Sequence, residues 1–73
     1  MSRFYFHLED GTSRPDQDGI ELADRDEARA LAVVAAGETL RDTGRKFWRH
    51  PDWMMHVTDD RGETVCTLRL SGM

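Results

Sequence analysis

Hydrophobic and polar side chains alternate along this chain in two distinct rhythms. From Arg3 to Glu9 the period is two: Phe4, Phe6 and Leu8 fall on one face, Tyr5, His7 and Glu9 on the other. Such alternation with aromatic residues predicts a half-buried strand. Asp10 and Gly11 then open a loop that Pro15, Asp16, Asp18 and Gly19 keep irregular. Ile20 and Leu22 flanking Glu21 predict a short second strand over residues 19–22. From Asp24 the rhythm becomes helical. Asp24 is an N-cap residue with Glu27 three positions on, the pattern of a capping box. Ala28, Leu31, Ala32, Ala35 and Leu40 mark the face that packs, while Arg29, Glu38 and Arg41 can face water. Gly44 ends the helix, with Arg41, Arg45 and Lys46 near the negative end of its dipole.

Past a loop through Pro51 the period returns to two. Trp53, Met55 and Val57 alternate with Met54, His56 and Thr58, and a turn at Asp59-Asp60-Arg61-Gly62 leads into Thr64–Leu70. In that last strand Cys66, Leu68 and Leu70 share one face, and Val65, Thr67 and Arg69 the other. The last two strands are expected to form a hairpin. The order ββαββ predicts an α+β fold, one domain over residues 1–73, with a single helix across one face of a small antiparallel sheet.

Length narrows this further. A 73-residue chain folds to about 4,600 Å² of accessible surface, against about 12,000 Å² when extended. With about 60% of the difference apolar, burial stabilises by roughly 110 kcal/mol. Ordering the chain at about 1.5 kcal/mol per residue costs about as much. A monomer has little margin, and self-association adds to it. The charge of −4 is uneven: residues 1–27 carry −5, residues 28–50 carry +3 and the remainder −2. An acidic chain with one basic island is a poor general nucleic-acid binder, because phosphate contacts dominate such affinity. The apolar run Leu31–Ala36 falls far short of the roughly 20 residues that span a bilayer. The opening residues lack the layout of a secretory signal, and the lone Cys66 fits a reducing compartment. No membrane association and no secretion are therefore expected.

Candidate chemistry is sparse. His7 and His56 fall on the same strand face, but two histidines without a third ligand fall short of a metal site. Asp16, Asp18, Glu21 and Asp24 cluster around Gly19, yet the spacing lacks the first ligand and the closing glutamate of a calcium loop. Loop turning and helix capping account for Asp18, Gly19 and Asp24. Cys66, set in a strand among Thr64, Leu68 and Leu70, reads as a small hydrophobe. No nucleophile elbow, phosphate-binding glycine loop or Cys-x-x-Cys is present. No cofactor and no catalytic residue are expected.

The opening Arg-Phe-Tyr-Phe-His, Asp16 and Gly19 before Glu21-Leu22, Asp24 with the Glu-Ala-Arg at 27–29, and the closing strand–Asp-Asp-Arg-Gly–strand carry a resemblance over nearly the whole chain. The sequence resembles a family of short alphaproteobacterial proteins described only as a domain of unknown function. The resemblance implies a small, stand-alone, cytoplasmic bacterial protein, and implies no activity. Lys46–Asp52 is longer and more aromatic than the family pattern.

Two surfaces remain. Tyr5, His7, Met54, His56 and Val65, with Thr67, make the second sheet face half apolar, as expected of a surface that meets another copy or another protein. This points first to a non-catalytic interaction module that forms a homodimer through the sheet or one of its unpaired edges. The alternative occupant of that face is the chain's own loop at residues 10–18. The second surface is the island Arg41, Arg45, Lys46, Phe47, Trp48, Arg49, His50 and Trp53. Bases interleaved with aromatics can stack on unpaired nucleotides, which makes a small nucleic-acid-binding or antitoxin-like regulator, using Arg45, Lys46, Trp48 and Arg49, the second reading. The same pattern arises when aromatics close the core and bases complement a helix end, and the acidic balance favours that simpler origin.

Overall fold

The alternating N-terminal segment becomes the strand around which the sheet is organised. In the computed structural model, which describes residues 1–73, β1 (Ser2–Glu9) pairs along one side with β4 (Asp52–Thr58), and β4 pairs with β5 (Thr64–Ser71). The other side of β1 is shared by two short strands. β3 (Ile20–Leu22) pairs with Ser2–Phe4, and β2 (Ser13–Arg14) with Leu8 and Glu9. All pairings are antiparallel. The expected α+β architecture is observed.

The helix α1 (Arg25–Thr43) begins and ends as its sequence dictates. The Asp24 carboxylate accepts the Glu27 N–H at 2.9 Å, and Glu27 reaches back to the Ala23 N–H at 3.4 Å. At the other end Gly44 takes φ +45° and donates its N–H to the Leu40 carbonyl. The helix packs over β4 and β5 and touches β3. It contributes only Ala28, Ala32 and Ala36 to the buried core, so its backbone can approach the sheet closely. Phe4, Leu22, Trp53, Met55 and Val57 supply the volume from the sheet side. Leu31, Ala35 and Leu40 are half-buried around this centre.

Three expectations are corrected. Gly44–Arg49, expected as loop, forms a 3-10 helix, η1. Phe47 packs from it onto the core and sets its ring edge-on to Trp48 at 5.3 Å. β2 was not expected at all, since two residues carry no periodicity. Val65, which strict alternation assigns to the open sheet face, packs against the core cluster instead. The register shifts between Val57 and Thr58, so Cys66 opposes Val57 while Thr64 opposes Thr58, and Val65 is the extra residue.

The hydrogen-bond alternation identifies the free edge. The Phe6 N–H points away from β4, toward the Asp16 carboxylate, so Phe6 and Val57 are a non-hydrogen-bonded pair. Val57, Met55 and Trp53 therefore exchange bonds with Cys66, Leu68 and Leu70, and Gly72 N–H to Pro51 O at 3.0 Å continues the series. Thr67, Arg69 and Ser71 direct their N–H and C=O groups outward, where no strand lies.

Gly19 sits against β1 with φ +71°, and a Cβ there would meet the Phe4 carbonyl oxygen and the Tyr5 ring at 2.9 Å. Gly19→Ala is expected to lower unfolding stability by about 1–3 kcal/mol, measured by urea denaturation. A change below about 0.5 kcal/mol, the scale of ordinary surface substitutions, would contradict this packing.

Candidate functional site

Between β2 and β3 the edge of β1 has a gap, and the loop at residues 15–19 closes it with Asp16. The carboxylate accepts the Phe6 N–H at 3.1 Å through one oxygen. Through the other it accepts the N–H groups of Asp18 and Gly19 at 3.0 and 3.1 Å. Asp16 in turn donates its own N–H to His7 Nδ1 at 3.0 Å. That nitrogen is thus an acceptor, and the ring proton resides on Nε2, 3.0 Å from Thr58 Oγ1. Arg3 ties the far end of the loop, donating to the Asp18 and Gly19 carbonyls and to Glu21.

The structure brings together five of the six residues expected on the open face, Thr67 among them as the register partner of His56. Tyr5, His7, Met54 and His56 are all half-buried there. His7 and His56 are direct register partners with ring centroids 6.2 Å apart, and Tyr5 stacks along His7 at 6.4 Å. His56 Nε2 lies 2.9 Å from Thr64 Oγ1. Both imidazoles are thus engaged with threonine hydroxyls, and no group of three His, Cys, Asp or Glu side chains converges anywhere. The loop carrying Asp16 and Gly19 covers part of this face at Tyr5 and His7. Val65 does not belong to it, as described above.

The basic island assembles on η1. Arg45, Lys46, Trp48 and Arg49 are all exposed, and none of the three cations forms an ion pair. Trp48 is 62% exposed beside an apolar cleft of about 280 Å³ lined by Leu40, Phe47, Leu70 and Gly72. Gly72 lies directly beneath the two aromatic rings, where a Cβ would stand 2.7 Å from Trp48. Trp53, the other indole, is buried, and its Nε1 has no acceptor.

The remaining titratable groups are used in construction. Asp59 Oδ1 accepts the N–H groups of Arg61 and Glu63 at 2.9 Å, shaping the hairpin turn, and Arg25 at the start of α1 reaches Asp59 Oδ2 at 3.1 Å. Arg69 makes a two-pronged contact with Asp52 at 3.0 and 3.1 Å. Burial pushes the Cys66 thiol above its usual range, against a weaker pull from the nearby Arg29, so Cys66 is a poor nucleophile at neutral pH. Sequence reasoning missed Asp16 as the central acceptor and the open outer side of β5. The available signal for the first was an Asp two and three residues before Asp18 and Gly19, the spacing of an Asx turn.

Fold and site together describe a small α+β protein, a helix on an antiparallel sheet with one side of that sheet plugged and the other left open. Residues 3–71 match the family described as Domain of unknown function (DUF6894), and the chain belongs to that family. No curated protein and no solved structure matches it. No helix is long and apolar enough to cross a membrane.

Asp16 also gives stability a defined acid dependence. Partial burial pushes its carboxyl up, but the N–H groups of Gly19, Phe6 and Asp18 together outweigh this and hold it below the usual carboxylate range. A lowered pKa contributes stability that is present above the unfolded value, about 3.9, and is lost as pH falls through the folded value. Asp52, beside Arg69, and Asp59, bonded to the Glu63 N–H, are lowered as well and act in the same direction. Asp16→Asn is therefore expected to be less stable than the parent at pH 7 and to lose less on acidification from about pH 5 to pH 2. Parallel stability–pH curves for the two proteins would contradict the role assigned to Asp16.

Proposed function

We propose that this protein is a small interaction module of the bacterial cytoplasm, without catalytic chemistry of its own, that self-associates through its sheet. The observation that carries the reading is the asymmetry of the sheet's two sides. The outer side of β1 is covered by β2, β3 and the Asp16 carboxylate, whereas β5 presents the backbone groups of Thr67, Arg69 and Ser71 to solvent over an eight-residue strand. Unpaired strands of that length are templates for pairing unless they are blunted. The absence of catalysis is supported by the duties of the candidate groups. Asp16, Asp24 and Asp59 accept backbone N–H groups, His7 and His56 sit on threonine hydroxyls, and the Cys66 thiol is pushed up by burial. The open-face residues Tyr5, His7, Met54 and His56 are the other surface of the same sheet through which copies can meet. A free thiol on Cys66 supports a reducing compartment.

Light scattering on the purified chain at about 100 μM, well above the Kd of a functional dimer, is expected to return twice the mass of one chain. A single peak at the monomer mass would overturn the reading.

A second reading is favoured by one observation: three exposed cations without acidic partners, Arg45, Lys46 and Arg49, lie on the same 3-10 helix as the exposed Trp48. It makes the protein a small nucleic-acid-binding or antitoxin-like regulator, with Trp48 stacking on an unpaired base and Arg45, Lys46 and Arg49 on phosphates. It requires that labelled single-stranded RNA or DNA stay bound at about 150 mM salt and that Arg45→Ala and Lys46→Ala each weaken binding and flatten its salt dependence. Loss of all binding at that salt in the parent protein would remove this reading and leave the first intact.

A further inference from the structure

We infer that the partner of β5 is β5 of a second copy, paired antiparallel about a two-fold axis through Leu68, so that two sheets become one and the two α1 helices pack side by side above it. This inference rests on the proposed self-association and specifies where it occurs. Four observations support it.

The first is surface. The chain exposes 5280 Å², roughly 700 Å² more than the about 4,600 Å² expected of a monomeric protein of its mass. Its radius of gyration of 12.4 Å also exceeds the roughly 11 Å expected for this length.

The second is register. Outward-directed Thr67, Arg69 and Ser71 must pair with outward-directed residues, which leaves few alignments. A two-fold axis at Arg69 sets two guanidinium groups directly opposite each other and is disfavoured. An axis at Thr67 leaves Leu70, already 43% exposed, opposite Thr64. An axis at Leu68 places Leu68 against itself and Cys66 against Leu70 of the second copy, all on the helix side of the sheet. Thr67 then exchanges backbone hydrogen bonds with Arg69 of the second copy, and the reciprocal pair does the same.

The third is the helix flank above β5. Arg29 lies near Cys66, and Leu40 shares a cleft with Leu70. Between them, on the same ridge of α1, are Val33 and Gly37. Strands sit about 4.8 Å apart, and α1 lies over β4 and β5. Joining two β5 strands therefore brings the helices to about 10 Å, a packing distance that suits small side chains. Val33, 61% exposed in the single chain, is the residue this contact covers, and Gly37 leaves open space for it.

The fourth concerns charge. Arg29 is exposed and belongs to no ion pair. The Leu68 register sets Cys66 beside Leu70 of the second copy. It therefore carries Arg29 toward the exposed indole of Trp48 of the second copy, a cation–π arrangement.

The test compares the mass of four proteins across a dilution series, with far-UV circular dichroism as the check on folding. In Thr67→Pro the lost N–H points outward, so no internal hydrogen bond is removed, but the pairing with a second copy is blocked. Val33→Glu and Val34→Glu change neighbouring, similarly exposed valines, and only Val33 lies on the flank that meets the second copy. The parent is expected to be dimeric, Val34→Glu to match it, and Thr67→Pro and Val33→Glu to dissociate with a Kd raised at least about 100-fold. Trp48 fluorescence should shift to the red as the parent dissociates. A dimeric parent with Val33→Glu dimerising at parent affinity would overturn the β5 pairing while leaving self-association through another surface of the sheet. A monomeric parent would overturn both. Should Thr67→Pro fail to fold, the two valine variants decide the question alone.

Discussion

A strand with two short partners on one side must leave something unpaired between them, and here that group is the N–H of Phe6. β3 ends its pairing at Phe4 and β2 begins at Leu8, with the intervening chain looping outward. A buried amide without an acceptor costs about 1–3 kcal/mol, a large share of the stability available to a chain this small. Asp16 removes that penalty and does more. Its second oxygen draws in the N–H groups of Asp18 and Gly19, and its own N–H engages His7. One carboxylate thereby joins β1, the loop and the start of β3. Gly19 is the geometric condition for this arrangement, because no side chain fits between the loop and β1 at that point.

The core is economical for the same reason of size. With Ala28, Ala32 and Ala36 as the helix contribution, α1 lies close to the sheet, and the large residues Trp53, Met55 and Phe4 come from the strands below. The arrangement leaves Val33 and Val34 on exposed helix surface, which a self-sufficient amphipathic helix would avoid. The turn at Asp59 then holds the N-terminus of α1 to the β4–β5 hairpin through Arg25. Exposed ion pairs of this kind contribute little energy, and their value here is orientation: they set the helix running along β5.

How much of this was legible in the sequence follows from the range of each interaction. The strands at Phe4–Leu8 and Trp53–Val57 and the capped helix at Asp24–Gly44 rest on contacts within a few residues, so periodicity and caps revealed them. Asp16 accepts across ten residues from Phe6 and donates across nine to His7, and its one local signal, the Asx-turn spacing to Asp18 and Gly19, does not reveal those distant partners. Val65 changed sides because one residue was inserted into the register of β5, a slip that alternation cannot register. The open side of β5 was hidden for a further reason. The order ββαββ is compatible with several strand arrangements, and only the observed order β2-β1-β4-β5 leaves the longest unpaired run on the strand that α1 flanks.

That placement also bears on the basic-aromatic segment, the part of the chain that composition singled out and local reasoning could not assign. Phe47 is accounted for by the core and Gly72 by the rings packed upon it, so the fold itself explains the aromatic half of the pattern. Trp48, packed on Gly72 yet 62% exposed, is the ring that keeps a face open. It stands at the C-terminal end of β5, beside Leu70, which is where a two-fold partner through Leu68 would bring Arg29. A nucleotide base and that guanidinium would compete for one indole face. In the proposed geometry the two functional readings would share one surface, since the dimer would occupy the stacking platform that single-stranded nucleic acid would need. In such a dimer, strand order, rather than the basic residues themselves, would determine whether Arg45, Lys46 and Arg49 have an aromatic partner to work with.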